Sequence, residues 1–301
     1  MSWEYLALIF VALVATTLVW IYYQKPKVLD YHGFAESKFI EVDGLKIHYV
    51  QEGRGPHLLL VHGLGSSIYC WRFIFKQLTQ YYSVTALDLP GFGLSEKNST
   101  KAYNLESQTL RLKSFLDQLG IVSTHIVAHS MGSFATAWLC HIHPEKVNKV
   151  VFIAPALNHK LVKANIPSLV WLAKLTKNKI VTPALVRWLY YKRALNKPPA
   201  DAEVAAHQYY LPYHRSHEAV LVFLKYAETL KDRRISEALF PFSKPALVLV
   251  AGKDRVIKPY FNQQFLKNNN LPTAISPYSG HQLMEEDPDF VTENIKNFFD
   301  T

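Results

Sequence analysis

The sequence predicts an α/β protein: a mainly parallel central sheet flanked by helices, with an inserted helical cap and an apolar N-terminal helix. Three observations carry this. Short apolar runs alternate with helix-like stretches through residues 38–155 and again through 243–301. The runs are apolar at consecutive positions, as in strands covered on both faces, rather than at every second one. Between residues 156 and 242 the alternation lapses and strand signals are missing.

Taken in order, residues 5–23 come first and carry no charge. Nineteen helical residues span about 28 Å, close to the hydrocarbon thickness of a bilayer. Trp3 and Tyr5 at one end, and Trp20, Tyr22 and Tyr23 at the other, stand where aromatic belts form. A cleaved signal peptide would open with positive charge and close on small residues. This segment opens Met-Ser-Trp-Glu and shows no such cleavage site. A single-pass anchor over 5–23 is therefore expected. Glu4 precedes it and Lys25 and Lys27 follow, so the positive-inside rule turns the rest of the chain toward the cytoplasm.

The body begins with apolar runs at 39–42 and 45–51 around Asp43-Gly44, a two-residue hairpin signal. Further strands are expected at 57–61, 83–87, 124–128, 147–153, 246–250 and 273–276. Helices are expected at 71–80, 105–119, 131–141, 259–266 and 288–299. In such sheets ligands gather at the carboxyl ends of the strands. The cap, 156–242, reads as several helices, with Pro167 and Pro183 at first-turn positions and Pro198-Pro199 dividing the segment.

The formal charge of +9 is local. Residues 155–200 carry Lys160, Lys163, Lys174, Lys177, Lys179, Arg187, Lys192, Arg193 and Lys197 with no acid. Trp171, Trp188, Tyr190 and Tyr191 lie among them. Two readings stand: a face that meets anionic lipid headgroups, and a solvated basic face whose aromatics pack inward. No nucleic-acid motif accompanies the charge, so no nucleic-acid partner is expected. The two cysteines, Cys70 and Cys140, offer neither a disulfide framework nor a metal spacing.

Chemistry concentrates at strand ends. Ser130, in Ala128-His129-Ser130-Met131-Gly132, lies between an expected strand and an expected helix, and small residues two before and two after allow a tight turn. A serine there could merely cap the helix. Asp254 follows the 246–250 strand in Gly252-Lys253-Asp254-Arg255, where it could equally be a surface aspartate paired with a neighbour. No acid follows the preceding core strand, whose exit reads Ala154-Pro155-Ala156-Leu157-Asn158. His281, one of 13 histidines, occupies a glycine-containing loop between the last strand and the last helix. His62-Gly63-Leu64-Gly65-Ser66 follows the 57–61 strand, where glycines let backbone N–H groups approach a developing oxyanion. The expected donors are the N–H groups of Leu64 and Met131. His62 is read as holding that loop, and Asp88 as a structural turn residue. No H-E-x-x-H, Cys/His cluster or phosphate loop is present, so neither metal nor cofactor is expected.

From about Phe39 to Phe299 the chain resembles the α/β-hydrolase fold family. The matching segments are His62-Gly63-Leu64-Gly65-Ser66, Asp88-Leu89-Pro90-Gly91-Phe92-Gly93-Leu94-Ser95, Ala128-His129-Ser130-Met131-Gly132, Gly252-Lys253-Asp254, and Gly280-His281 with Glu286 and Pro288 beyond. The order Ser, Asp, His is that family's triad order. Ser130 stands where the epoxide hydrolases and haloalkane dehalogenases carry aspartate. The N-terminal anchor and cap most resemble the membrane-bound monoacylglycerol lipases, although Ala128 and Ser133 stand where those often have glycine.

The resemblance implies a membrane-anchored serine hydrolase acting on carboxylic esters, with lipid or monoacylglycerol-like substrates. Ser130 would be the nucleophile, His281 its base and Asp254 the group that orients the base. Two alternatives remain: an acyltransferase or other triad chemistry, and a catalytically silent anchored binding protein.

Overall fold

The computed structural model describes residues 34–157, 194–202, 216–234, 242, 244–260, 266–267 and 270–300. The expected anchor at 5–23 and the basic stretch at 158–193 lie outside the described residues, as does most of the expected 259–266 helix. Among the described residues no helix is long and apolar enough to cross a membrane.

Eight strands form one sheet in the order β1-β2-β4-β3-β5-β6-β7-β8. β1 (Lys38–Val42) and β2 (Leu45–Glu52) make the expected hairpin. Its turn residues, Asp43 and Gly44, sit at φ 54° and 65°, both left-handed, as a two-residue hairpin turn requires. β2 pairs antiparallel with β4 (Ser83–Leu87). From there β3 (His57–Val61), β5 (Thr124–His129), β6 (Val147–Ile153), β7 (Ala246–Ala251) and β8 (Thr273–Ser276) continue in parallel.

Both faces of these strands are covered. On one face Leu59, Ile126, Phe152 and Val248 pack beneath α2 (Leu105–Gln118) and α3 (Gly132–Ile142). The intervening residues Leu58, Val127, Val151 and Leu249 point to the other face. There they meet α1 (Phe75–Leu78) and, later in the chain, α6 (Pro288–Phe299). Each fully buried aliphatic or aromatic side chain contributes roughly 1.5–3 kcal/mol. That explains why the strands read as continuous apolar runs.

One expected element differs. Residues 71–80 form no single helix: a 3₁₀ turn over Ile68–Trp71 gives way to the single turn of α1. Arg72 and Ile74 donate three residues back, to Tyr69 and Trp71, so the tighter winding carries across the join. Trp71, Ile74, Phe75 and Leu78 are all buried, and their spacing suits either winding.

Part of the insertion is a well-capped helix, α4 (His217–Thr229), with the Ser216 hydroxyl accepting from Ala219 N–H at 3.1 Å. It is seated on the loops that follow β4. Glu218 accepts from Ser99 N–H at 2.6 Å, and a Cβ on Gly91 would lie 2.2 Å from Val222 Cγ1. Before α4 comes the short stretch 194–202, and after it α5 (Leu283–Glu286) precedes α6.

Asp88, at the end of β4, fastens these loops. Oδ1 accepts from Ile68 N–H at 2.7 Å, while Oδ2 takes Leu94 N–H at 2.8 Å and meets His48 Nδ1 at 2.7 Å. Burial alone would raise its pKa. The His48 hydrogen bond and the Ile68 N–H outweigh that and hold it below the usual carboxylate range. A folded pKa below the unfolded value of about 3.9 gives stabilisation that is complete above that pH. It is lost as pH falls through the folded pKa. Asp88→Ala should therefore cost roughly 3–5 kcal/mol in urea unfolding at pH 7, with the deficit shrinking in acid. A midpoint equal to wild type would show that these bonds contribute nothing.

Candidate active site

The strand order brings the expected residues together. β3 and β5 are neighbours, with Val61 beside Ala128, so the loop after β3 and the turn after β5 emerge side by side. This is also where the order reverses, since β4 lies on the far side of β3. β7 and β8 are neighbours too, with Ala251 beside Ser276, which sets the Asp254 loop against the loop carrying His281.

Ser130 sits on the turn from β5 into α3 with φ 50°, in the left-handed region an L residue seldom occupies. Its N–H donates to Ile153 carbonyl at 2.9 Å, and its own carbonyl accepts from Ala156 N–H at 3.1 Å. Two glycines make the turn possible. A Cβ at Gly132 would come within 2.5 Å of His62 carbonyl oxygen, and one at Gly63 within 2.8 Å of Ser130 Cβ. Ala128, where glycine is common in the motif, is accommodated without exposure.

The three side chains form one buried relay. Ser130 Oγ lies 2.8 Å from His281 Nε2, and His281 Nδ1 lies 2.7 Å from Asp254 Oδ2. Asp254 Oδ1 is taken by the N–H groups of Val256 at 2.7 Å and Ile257 at 2.8 Å, so the carboxylate can turn only one oxygen to the histidine. The surface-pair alternative for Asp254 is not what the structure holds, since its side chain is 1% exposed and faces inward. With the Nδ1 proton donated to Asp254, Nε2 is free to accept from the serine hydroxyl. Such an arrangement can deprotonate the hydroxyl as it attacks an electrophile.

The loop after β3 is held as expected. His62 Nε2 accepts from Leu89 N–H at 2.9 Å, and Nδ1 donates to Gly63 carbonyl at 2.8 Å. Burial keeps this imidazole below its usual pKa, in line with the neutral tautomer those bonds assign. Among the described residues neither Leu64 N–H nor Met131 N–H donates to a backbone carbonyl. The Leu64 side chain packs against Leu221 and Leu224 of α4. No group of three or more His, Cys, Asp or Glu side chains among the described residues could hold a metal ion.

Two features escape the sequence. His129, to which sequence reasoning assigns nothing, donates from Nε2 to His281 carbonyl oxygen at 2.9 Å. Burial first, then the adjacent His281 charge, push its pKa well below the usual value, so it stays neutral. The other is a second Asp–His–Ser chain: beyond Asp88, His48 Nε2 lies 2.9 Å from Ser37 Oγ. Ser37 precedes β1 in an open stretch, without the left-handed turn or the helix start that surround Ser130.

Comparison with known proteins agrees with this architecture. A family model for the alpha/beta hydrolase fold matches residues 56–288. The uncharacterised hydrolase YugF of Bacillus subtilis is 27% identical over 271 residues, covering 85% of this chain and 95% of that protein. The dihydrolipoyllysine-residue acetyltransferase component of an acetoin cleaving system from Cupriavidus necator is 34% identical over 122 residues, or 40% of this chain. That match spans 32% of the relative's own length. Among solved structures, a membrane phospholipase A described as a bacterial virulence factor superposes with a TM-score of 0.69 at 25% identity. The superposition covers 100% of this chain and 98% of the other. Sheet order, turn geometry and a match through most of the body lead to one placement: the chain belongs to the alpha/beta hydrolase fold family.

Proposed function

We propose that this chain is a serine hydrolase that cleaves carboxylic esters, with lipid or monoacylglycerol-like substrates, through an acyl-enzyme on Ser130. The observation that carries the reading is the buried relay from Asp254 through His281 to Ser130, with contacts of 2.7 and 2.8 Å. His281 Nε2 takes the hydroxyl proton while Ser130 Oγ bonds to the ester carbonyl carbon. Asp254 steadies the imidazolium that results. The carbonyl electron pair moves onto oxygen, which the Leu64 and Met131 N–H groups receive. Each such donor is typically worth about 3 kcal/mol. His281 returns the proton to the leaving alcohol; water, deprotonated by the same imidazole, then attacks the acyl-enzyme and restores Ser130.

Four observations favour a lipid among possible esters. Leu64, whose N–H would receive the oxyanion, keeps its side chain in an apolar cluster with Leu221 and Leu224. The likeness to a membrane phospholipase A extends over the whole chain. The uncharged run at 5–23 has the length and aromatic flanks of a single-pass anchor, and by the positive-inside rule the lysines after it would turn the catalytic part toward the cytoplasm. The basic, aromatic stretch 155–200 would meet anionic headgroups.

A fluorophosphonate probe should label the detergent-solubilised wild type and fail to label folded Ser130→Ala and His281→Ala. Label persisting in Ser130→Ala would move the chemistry to another serine, with Ser37 the first to test. A folded wild type that takes no label would end the hydrolase reading in favour of a silent binding protein. Asp254→Asn makes a sharper demand. Because Val256 and Ile257 claim the acceptor side, the amide must turn its NH₂ toward His281, forcing the imidazole proton onto Nε2. Ester turnover should fall by roughly 10⁴ with the fold intact, and a loss under tenfold would refute that role. For the anchor, the chain should remain in the membrane pellet after an alkaline carbonate wash; its release would dismiss the single-pass assignment.

A further inference from the structure

The loop that presents His281 is gripped from outside the sheet. Glu286, at the end of α5, spans the gap with its two oxygens. Oε1 accepts from Gly280 N–H at 2.9 Å, while Oε2 accepts from Asn196 N–H at 2.9 Å and Lys197 N–H at 2.6 Å. On the other side of the histidine, Gln282 N–H donates to Ala194 carbonyl at 3.3 Å. Both sequence neighbours of His281 are thus tied to residues 194–197, one through the carboxylate and one directly.

The fit is close. A Cβ on Gly280 would stand 2.7 Å from Asn196 N and 2.7 Å from Glu286 Oε1, so only glycine lets the segment lie this near. The Asn196 amide adds a bond from Nδ2 to Tyr278 carbonyl at 2.8 Å. The preceding residue repeats the device. Glu285, fully buried, meets Arg72 Nη1 at 2.9 Å, and the same guanidinium grips Asp201 through Nε at 2.7 Å and Nη2 at 2.9 Å. Glu286 therefore fastens residues 196–197 to the histidine loop, while Glu285, through Arg72, ties residue 201 to α5 itself.

Burial pushes the Glu286 pKa up, and the Lys197, Gly280 and Asn196 N–H groups pull it partly back. A carboxylate kept in so costly a place accepts charge-assisted bonds, which are about twice as strong as neutral ones. None of its three donors belongs to a strand, so the sheet does not need it. What it orders is the position of the residue before His281.

We propose that Glu286 is a positioning residue: it couples the 194–197 segment of the insertion to the place His281 takes against Ser130. The inference rests on the serine-hydrolase reading above. It makes the reactivity of Ser130 depend on where that segment lies, so that displacing the segment takes the imidazole out of line with the hydroxyl.

The test is the second-order rate at which a fluorophosphonate inactivates the full-length protein in detergent, for wild type, Glu286→Gln, Lys197→Pro and the double variant. A glutamine offers its one amide oxygen to Gly280 or to Asn196 and Lys197, and sets its NH₂ against the other side. Lys197 is exposed, and proline there removes one N–H donor without touching the core. Each single variant should slow inactivation per folded molecule about tenfold or more, with circular dichroism showing the wild-type fold at the assay temperature. The double variant should be no slower than the slower single, because both cut one tie. An unchanged rate per folded molecule in Glu286→Gln overturns the inference. If that variant does not fold, an unchanged rate in Lys197→Pro does so. A folded wild type that is not labelled sinks the hydrolase reading and this inference together, whereas a reactive wild type with unaffected variants sinks this inference alone.

Discussion

Ser130 takes left-handed backbone because β5 must pass into α3 within two residues while the serine keeps its N–H on Ile153 and its carbonyl under Ala156. An L residue pays about 1–2 kcal/mol for that conformation, and the two backbone bonds hold it there. The turn then dictates its surroundings. Gly132 must be bare where it passes His62 and Val61, and Gly63 where it passes Ser130 and His129. The loop after β3 can approach this closely only because its own strand is the neighbour of β5. Glycine placement and the position of one buried hydroxyl at the carboxyl end of a central strand follow from a single backbone constraint.

Two buried aspartates at strand ends illustrate how surroundings assign a role. Asp88 and Asp254 each meet a histidine nitrogen at 2.7 Å, and each accepts two backbone N–H groups. Each histidine in turn reaches a serine. The Asp88 chain ends on Ser37 in an open stretch before the sheet. The Asp254 chain ends on a serine in a left-handed turn with a helix start behind it. The side-chain relay is common to both; the backbone around the hydroxyl is not. Buried, neutral His62 and His129 complete the second setting, fixing carbonyls on either side without adding charge.

Much of this was legible in the sequence, for local reasons. Doubly covered strands announce themselves as apolar runs, and Asp43-Gly44 is turn chemistry that needs no distant partner. Ser130, Asp254 and His281 each stand a few residues beyond a strand, so chain order alone suggested their meeting. The failures have two causes. Residues 71–80 read as one helix because four buried side chains recur at a spacing that 3₁₀ winding also satisfies. His129 and Glu286 act on backbone atoms of His281, Gly280, Asn196 and Lys197, and a backbone partner leaves no trace in residue type. Asp88 was legible as structural, but not as the buried junction of β2 with the loops after β3 and β4.

The chain delivers the relay in two instalments. Ser130 and the strands that shape its turn, β3, β5 and β6, precede the insertion, whereas Asp254 and His281 arrive with β7 and β8 behind it. Strands β7 and β8 add to one side of a sheet whose centre is already specified. Since a chain is made from its N-terminus, the serine turn can form on the ribosome long before any base can reach it. On the proposed mechanism the nascent protein is chemically inert until β7, β8 and the loops carrying Asp254 and His281 dock. A premature stop in that stretch would leave the Ser130 hydroxyl without its base, ordinary and unreactive.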